Sequence, residues 1–76
     1  MPRIADIELQ MKLTLNGEAR VVSEGSTLAD LVAELGLDGR KVAVELNLEI
    51  VPRSAYQVTR VADGDRIEIV HFIGGG

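Results

Sequence analysis

Met11-Lys12-Leu13-Thr14-Leu15-Asn16-Gly17-Glu18-Ala19-Arg20-Val21-Val22 reads as a β-hairpin. Apolar residues at 11, 13 and 15 alternate with polar ones at 12 and 14, the period of a strand with one face buried. Asn16-Gly17 then suits a type I′ turn, which needs positive φ at both central residues. Ala19 to Val22 returns as the second strand. Upstream, Met1 to Gln10 shows no clear period, with Ile4, Ile7 and Leu9 scattered among Arg3, Asp6 and Glu8. These ten residues are expected to be an extension ahead of the domain, with Met11 as a second start. The alternative is a genuine first half-strand.

Downstream, Glu24-Gly25 ends the hairpin, and Ser26 or Thr27 caps a helix over residues 27–35. Thr27-x-x-Asp30 puts an acid in the first turn, where the helix dipole favours it. Leu28, Leu31, Val32 and Leu35 fall at i, i+3, i+4 and i+7, one apolar stripe made to face a sheet. Gly36 offers a left-handed stop. Val42 to Asn47 predicts a strand with Val42, Val44 and Leu46 on one face, and residues 48–51 predict a short return strand. Pro52 ends that strand because it has no N–H for the ladder. Residues 52–57 form a turn or one helical turn, and Asp63-Gly64-Asp65 is a tight turn. Residues 66–73 form the last strand. One amphipathic helix over a mixed sheet of four or five strands is an α+β arrangement. With the last strand inserted beside the first, it is the β-grasp, the ubiquitin-like fold. The division expected is an extension over 1–10, a β-grasp domain over 11–73 and a glycine tail over 74–76.

Composition narrows the function. A chain of 76 residues is one small domain that buries only ~60% of the surface its unfolded form exposes. It has little room for an enclosed substrate pocket. The apolar fraction of 46% argues for a globular domain over disorder. Tyr56 and Phe72 are the only aromatics, which gives few platforms for stacked bases. A net charge of -4 disfavours nucleic acid and anionic membrane and suits a basic protein surface. There is no cysteine, so disulfides, thiolate metal sites and a cysteine nucleophile are excluded. No stretch looks like a signal peptide or a bilayer span. A cytoplasmic location is expected.

The chemistry concentrates at the end of the sequence. In the last strand Ile67, Ile69, His71 and Ile73 alternate with Glu68, Val70 and Phe72. The Ile67/Ile69 face is expected to meet the helix. Val70 and Phe72 then face solvent as an apolar docking patch, unless the N-terminal extension covers them. Gly74-Gly75-Gly76 follows. Without Cβ atoms such a tail is thin and can thread a narrow channel. A terminal carboxylate on Gly76, with an unperturbed pKa of about 3.3–3.7, is ionised at neutral pH. It can attack the α-phosphate of ATP to give an acyl-adenylate, which a sulfur nucleophile converts to a thiocarboxylate. No side chain of this chain is needed. A frayed end is the bland alternative.

Other polar residues have plainer readings. His71 is a surface or satisfied histidine. Asp63 and Asp65 are turn acids without enough oxygen ligands around them for calcium. Glu45 and Glu49 read as a solvated sheet edge. Tyr56 is expected to pack its ring on the core and keep its hydroxyl in water. Arg53 is either a solvated turn residue or a docking residue.

From about residue 11 to the end, the sequence resembles the ThiS family, the sulfur carriers of thiamine biosynthesis. The resemblance rests on Leu15-Asn16-Gly17-Glu18, Thr27-Leu28-x-x-Leu31, Val42-Ala43-Val44-Glu45-Leu46-Asn47, Ile50-Val51-Pro52-Arg53-Ser54, Asp63-Gly64-Asp65 and the Gly-Gly end. It implies a protein co-substrate, not an enzyme, with no bound cofactor. An adenylyltransferase of the ubiquitin-activating type (ThiF-like) would use ATP and magnesium to adenylylate Gly76. A cysteine desulfurase would be the indirect sulfur source. The thiocarboxylate would then enter a thiazole synthase (ThiG-like). Gly74 and Gly75 would give the tail passage, and Val70, Phe72, Ile73 and Arg53 would dock partners. Two relatives stay open as alternatives: the small subunit of molybdopterin synthase, which shares Asp-Gly-Asp and Gly-Gly, and a ubiquitin-like modifier joined to lysines. Three features depart from the family. Leu48 stands where the family often has glycine, so either the turn differs or Asn47 itself takes the left-handed conformation. Gly74 makes three terminal glycines in place of two, and the ten-residue extension is unusual.

Overall fold

Each hairpin closes through two residues with positive φ, Asn16 (50°) with Gly17 (84°) and Asn47 (51°) with Leu48 (72°). Tight turns of this hand match the twist of the strands they join. The computed structural model describes residues 10–72. Along the chain come β1 (Gln10–Leu15), β2 (Glu18–Ser23), helix α1 (Leu28–Glu34) and a 3-10 turn (Gly39–Lys41). Strands β3 (Val42–Leu46) and β4 (Glu49–Val51), a second 3-10 turn (Arg53–Ala55) and β5 (Arg66–His71) follow. Residues 1–9 of the expected extension, Ile73 and the glycine tail lie outside the described residues, while Gln10, counted with the extension, is the first residue of β1 and pairs with Ser23.

The strands form one mixed sheet in the order β2-β1-β5-β3-β4. Both hairpins are antiparallel, with Leu15 opposite Glu18 and Leu46 opposite Glu49 next to the turns. The last strand inserts between them, parallel to β1 and antiparallel to β3. With α1 on one face, this is the β-grasp arrangement of the α+β class read from the sequence.

Seven residues are too few for a helix stable by itself, so α1 depends on its surroundings. Thr27 is the cap: its hydroxyl accepts from the Asp30 N–H at 3.1 Å, and the Asp30 carboxylate accepts from the Thr27 N–H at 2.9 Å. Two more first-turn amides, on Leu28 and Ala29, donate to the carbonyls of Thr59 and Tyr56. The donors left over at a helix start are thus met by the loop that leads toward β5. At the other end Gly36, at φ +74°, lets the Leu37 N–H turn back to the Val32 carbonyl. Leu28, Leu31 and Val32 are buried against Leu13, Leu15, Val44, Ile67 and Ile69. Leu35, the last member of the stripe, is half-buried at the C-cap. Arg20 sits opposite Leu13, on the core side of the sheet. Its stem covers the core edge while the guanidinium reaches out to Glu34 at 4.0 Å.

Two expectations need correction. The Tyr56 hydroxyl is not in water: the residue is buried, and the hydroxyl donates to the Val42 carbonyl across a long 3.4 Å contact. The ring packs beneath the 3-10 turn at Gly39, whose open Cα side faces it. Burial of a phenol requires such a partner, and alternation along the chain cannot reveal one. Glu45 is not at a sheet edge either. It lies in β3 between β4 and β5, half-buried, directly opposite Glu68 and Ile50. Glu49, in the edge strand β4, is exposed as expected. Among the described residues no helix is long and apolar enough to cross a membrane.

Candidate functional site

The site is built on β5, the strand that leads to the glycine tail. Its core face holds Ile67, fully buried, and Ile69. Its other face carries Glu68, half-buried, and Val70, which is 59% exposed; Phe72, just past the strand, is 51% exposed. The alternation read from the sequence therefore holds along β5, and among the described residues the one α-helix packs on the other face, leaving Val70 and Phe72 exposed.

A full backbone ladder to β3 holds one side of β5; on the other side, toward β1, a side-chain amide takes over part of the work. Only Thr14 with Arg66 and Leu15 with Ile67 are paired in the parallel ladder between β1 and β5. The Asn16 N–H donates to the Ile67 carbonyl at 2.9 Å. Beyond that point the Asn16 side chain replaces the missing strand. Its Oδ1 accepts from the Ile69 N–H at 2.8 Å, and its Nδ2 donates to the Ile69 carbonyl at 3.3 Å. Asn47 does the corresponding work from the other hairpin. Its Oδ1 accepts from the Arg66 N–H at 2.9 Å, its N–H donates to the Arg66 carbonyl at 2.7 Å, and its Nδ2 donates to Asp65 at 3.0 Å. The two turn acids also serve locally. Asp63 accepts from the Lys12 N–H, and Asp65 accepts from the Ala62 N–H. Backbone groups along β5 and its flanks are in this way paired, part-buried at Ile69 and exposed at Arg66, Lys12 and Ala62.

The root of the tail is fixed at Phe72. His71 pairs with Val42, and the Phe72 N–H donates to the Lys41 carbonyl at 2.7 Å. The 3-10 turn that presents this carbonyl is held by Asp38. Its carboxylate accepts from the Arg40 N–H at 2.9 Å and from the Arg40 guanidinium at 2.9 and 3.1 Å. The side-chain bonds to Arg40, and then the backbone bond to Arg40, pull the Asp38 carboxyl down to about 2.

The structure brings together Val70 and Phe72 but not Arg53. Arg53 is exposed in the second 3-10 turn. It borders a cleft of about 320 Å³ beside α1, floored by Ala29, Val32, Leu37 and Tyr56. That cleft is on the helix layer, whereas Val70 projects from the uncovered face of the sheet. Ile73, Gly74, Gly75 and Gly76 lie outside the described residues. The sequence reading missed both asparagine side chains. Their position at the first place of a turn was the only local sign, since their partners lie 53 and 19 residues away.

Comparison with known proteins adds the following. A family model described as the ThiS family matches residues 10–76. A protein named thiazole synthase from Paramagnetospirillum magneticum is 61% identical over 66 residues, which are 87% of this chain and 20% of that protein. The chain thus spans about one fifth of that relative's length. The sulfur carrier protein ThiS of Bacillus subtilis is 42% identical over 65 residues, 84% of this chain and 98% of the relative. The crystal structure of the thiamine biosynthesis protein (ThiS) from Geobacter metallireducens aligns with a TM-score of 0.71 at 38% identity. That alignment covers 87% of this chain and 100% of the other.

Proposed function

The chain belongs to the ThiS family, and on that premise we propose that it is a sulfur carrier for thiamine thiazole formation whose Gly76 holds the sulfur. The observation that carries this reading is the family match, which runs unbroken through β5 to residue 76. A folded body that ends in a pinned strand and three glycines is suited to being held by one enzyme while its end reacts in another. From Phe72, four further residues extend at most about 14 Å, enough to enter a channel but not to wander far from the docked body.

The chemistry proposed is carried by partners. A Gly76 carboxylate oxygen attacks the α-phosphorus of ATP, pyrophosphate leaves, and an acyl-adenylate forms on an adenylyltransferase of the ubiquitin-activating type, with magnesium bound to the nucleotide. A persulfide sulfur, supplied through a cysteine desulfurase, then attacks the acyl carbon and AMP leaves. A thiol attacks the resulting acyl disulfide at its outer sulfur. The thiocarboxylate departs, and the two enzyme sulfurs remain as a disulfide. The loaded tail goes to thiazole synthase, and Val70, Phe72 and Ile73 contact the partners around the tail. Arg53, on the other layer, would have to meet a partner at a separate surface. In this reading the chain is consumed and regenerated as a co-substrate and catalyses nothing itself.

The test is intact mass after co-expression with the adenylyltransferase, the desulfurase and cysteine. The expected result is a gain equal to exchanging one oxygen for sulfur, abolished by deletion of Gly76. A gain that survives the deletion would overturn the assignment to Gly76. The mass before activation shows whether the mature protein ends at Gly76, which the chemistry requires.

A further inference from the structure

The uncovered face of the sheet continues past β5. Across the register Val70 lies opposite Ala43, and Glu68 lies opposite Glu45, which in turn lies opposite Ile50 in β4. Ile50 is 77% exposed, more than Val70 or Phe72. At the tip of the same hairpin Leu48 is 70% exposed and held at φ +72°. Two large aliphatic side chains are thus displayed on one short hairpin, one of them in a backbone conformation that disfavours any side chain.

The charges on this face are also unbalanced. Like charges directly opposite each other weaken a sheet, yet Glu45 faces Glu68. The Arg66 guanidinium lies 3.4 Å from Glu68, and no described cation pairs with Glu45. Among the described residues, then, the half-buried Glu45 carboxylate, between Ile50 and Glu68 in the register, has no cation beside it.

We propose that this half of the open face, centred on Ile50 and Glu45, is the docking surface for thiazole synthase, and that Glu45 receives a guanidinium or ammonium group of that enzyme. The proposal rests on the carrier reading above and names the partner of its docking face. Three observations select this occupant. In the Paramagnetospirillum relative, a region 61% identical to this chain is one fifth of a protein named thiazole synthase. Such a domain is covalently joined there to the remainder of that protein, and joined modules meet at high effective concentration. Next, Val70 lies two residues before Phe72, the last described residue ahead of the tail, so an enzyme that receives the tail there stands next to Val70. Finally, a second copy placed face to face would set Glu45 and Glu68 against carboxylates of the same sign, whereas a cation of a different protein satisfies them.

The experiment is a titration of the full chain and its variants into thiazole synthase of the same genome, at two salt concentrations, with thiocarboxylate formation measured in parallel. Ile50→Asp is expected to weaken Kd by at least about thirtyfold. Glu45→Gln should weaken it about tenfold and flatten its dependence on salt. The melting temperature of Glu45→Gln should hold or rise, because the repulsion with Glu68 is gone. Both variants should still gain sulfur. Wild-type Kd in both variants, with sulfur loading intact, overturns the docking surface and leaves the carrier reading standing. Loss of loading with an unchanged Kd assigns the face to the adenylyltransferase and overturns it too. A wild-type dimer dissolved by Ile50→Asp makes the face a self-interface instead. If the wild type gains no sulfur, the carrier reading falls and the proposal falls with it.

Discussion

The two hairpin turns have the same backbone but different residues. At Asn16-Gly17 and at Asn47-Leu48 both central φ angles are positive, and each asparagine side chain reaches across to β5. They differ in the second residue. Glycine enters the left-handed region without penalty, while leucine there loses about 1–2 kcal/mol to the clash of its Cβ with the backbone. The shared asparagine thus reflects a double requirement, tolerance of positive φ and an amide that bonds β5. The second position carries only the backbone requirement, and in the β3–β4 turn that requirement is set aside for an exposed leucine.

The comparison breaks first if the asparagines are not the clamps. Asn16→Ala should cost about 2–3 kcal/mol in urea unfolding, because both backbone groups of Ile69 lose their partner and alanine takes on the left-handed strain. Asn16→Gly removes the strain and isolates the amide, so about 1–2 kcal/mol of the loss should remain. Equal stability of Asn16→Gly and wild type would show that the side chain holds nothing.

Asn47→Ala comes next, at about 1–2 kcal/mol, smaller because the Arg66 N–H it leaves behind is more open to water. The second position is sharpened by Leu48→Gly, which should stabilise the chain by about 0.5–1 kcal/mol and raise the melting temperature by about 2–8 °C. Thermal scans of that variant beside Gly17→Leu, expected to shift the opposite way, compare the two turns directly.

The smallest effect concerns Asp38, a third place where a side chain clasps a turn. Its carboxyl, held down to about 2 by Arg40, should titrate near that value by NMR and return toward the ordinary carboxylate range in Arg40→Ala. The folded value is lower than the unfolded one. Whatever stability the clasp adds is therefore complete above pH 4 and is lost as pH falls toward 2.

Local signals carried most of the fold. The alternation over Met11–Leu15, the Asn-Gly turn and Thr27-x-x-Asp30 each depend on neighbours within four residues, and each became the element expected. The exposure of Val70 and Phe72 was also legible, because the helix read from the sequence packs on the face that carries Ile67 and Ile69. What could not be read were pairings between distant segments. The grip of Asn16 on Ile69, the contact of Tyr56 with Val42 and the central place of Glu45 each join residues 14 to 53 positions apart in the chain. The turn at Leu48 lay between these cases. The sequence allowed either a different turn or a left-handed Asn47, and both residues prove to be left-handed.

The inserted last strand has a mechanical consequence. A pull applied through Phe72 does not peel β5 from an edge. It loads the hydrogen bonds to β1 and β3 together, along their length, so they must give way in shear, not one at a time like a zipper. Any partner that pulled on the chain beyond Phe72 would therefore haul on a strand held on both sides. A half-made chain lacking β5 would offer nothing to haul on.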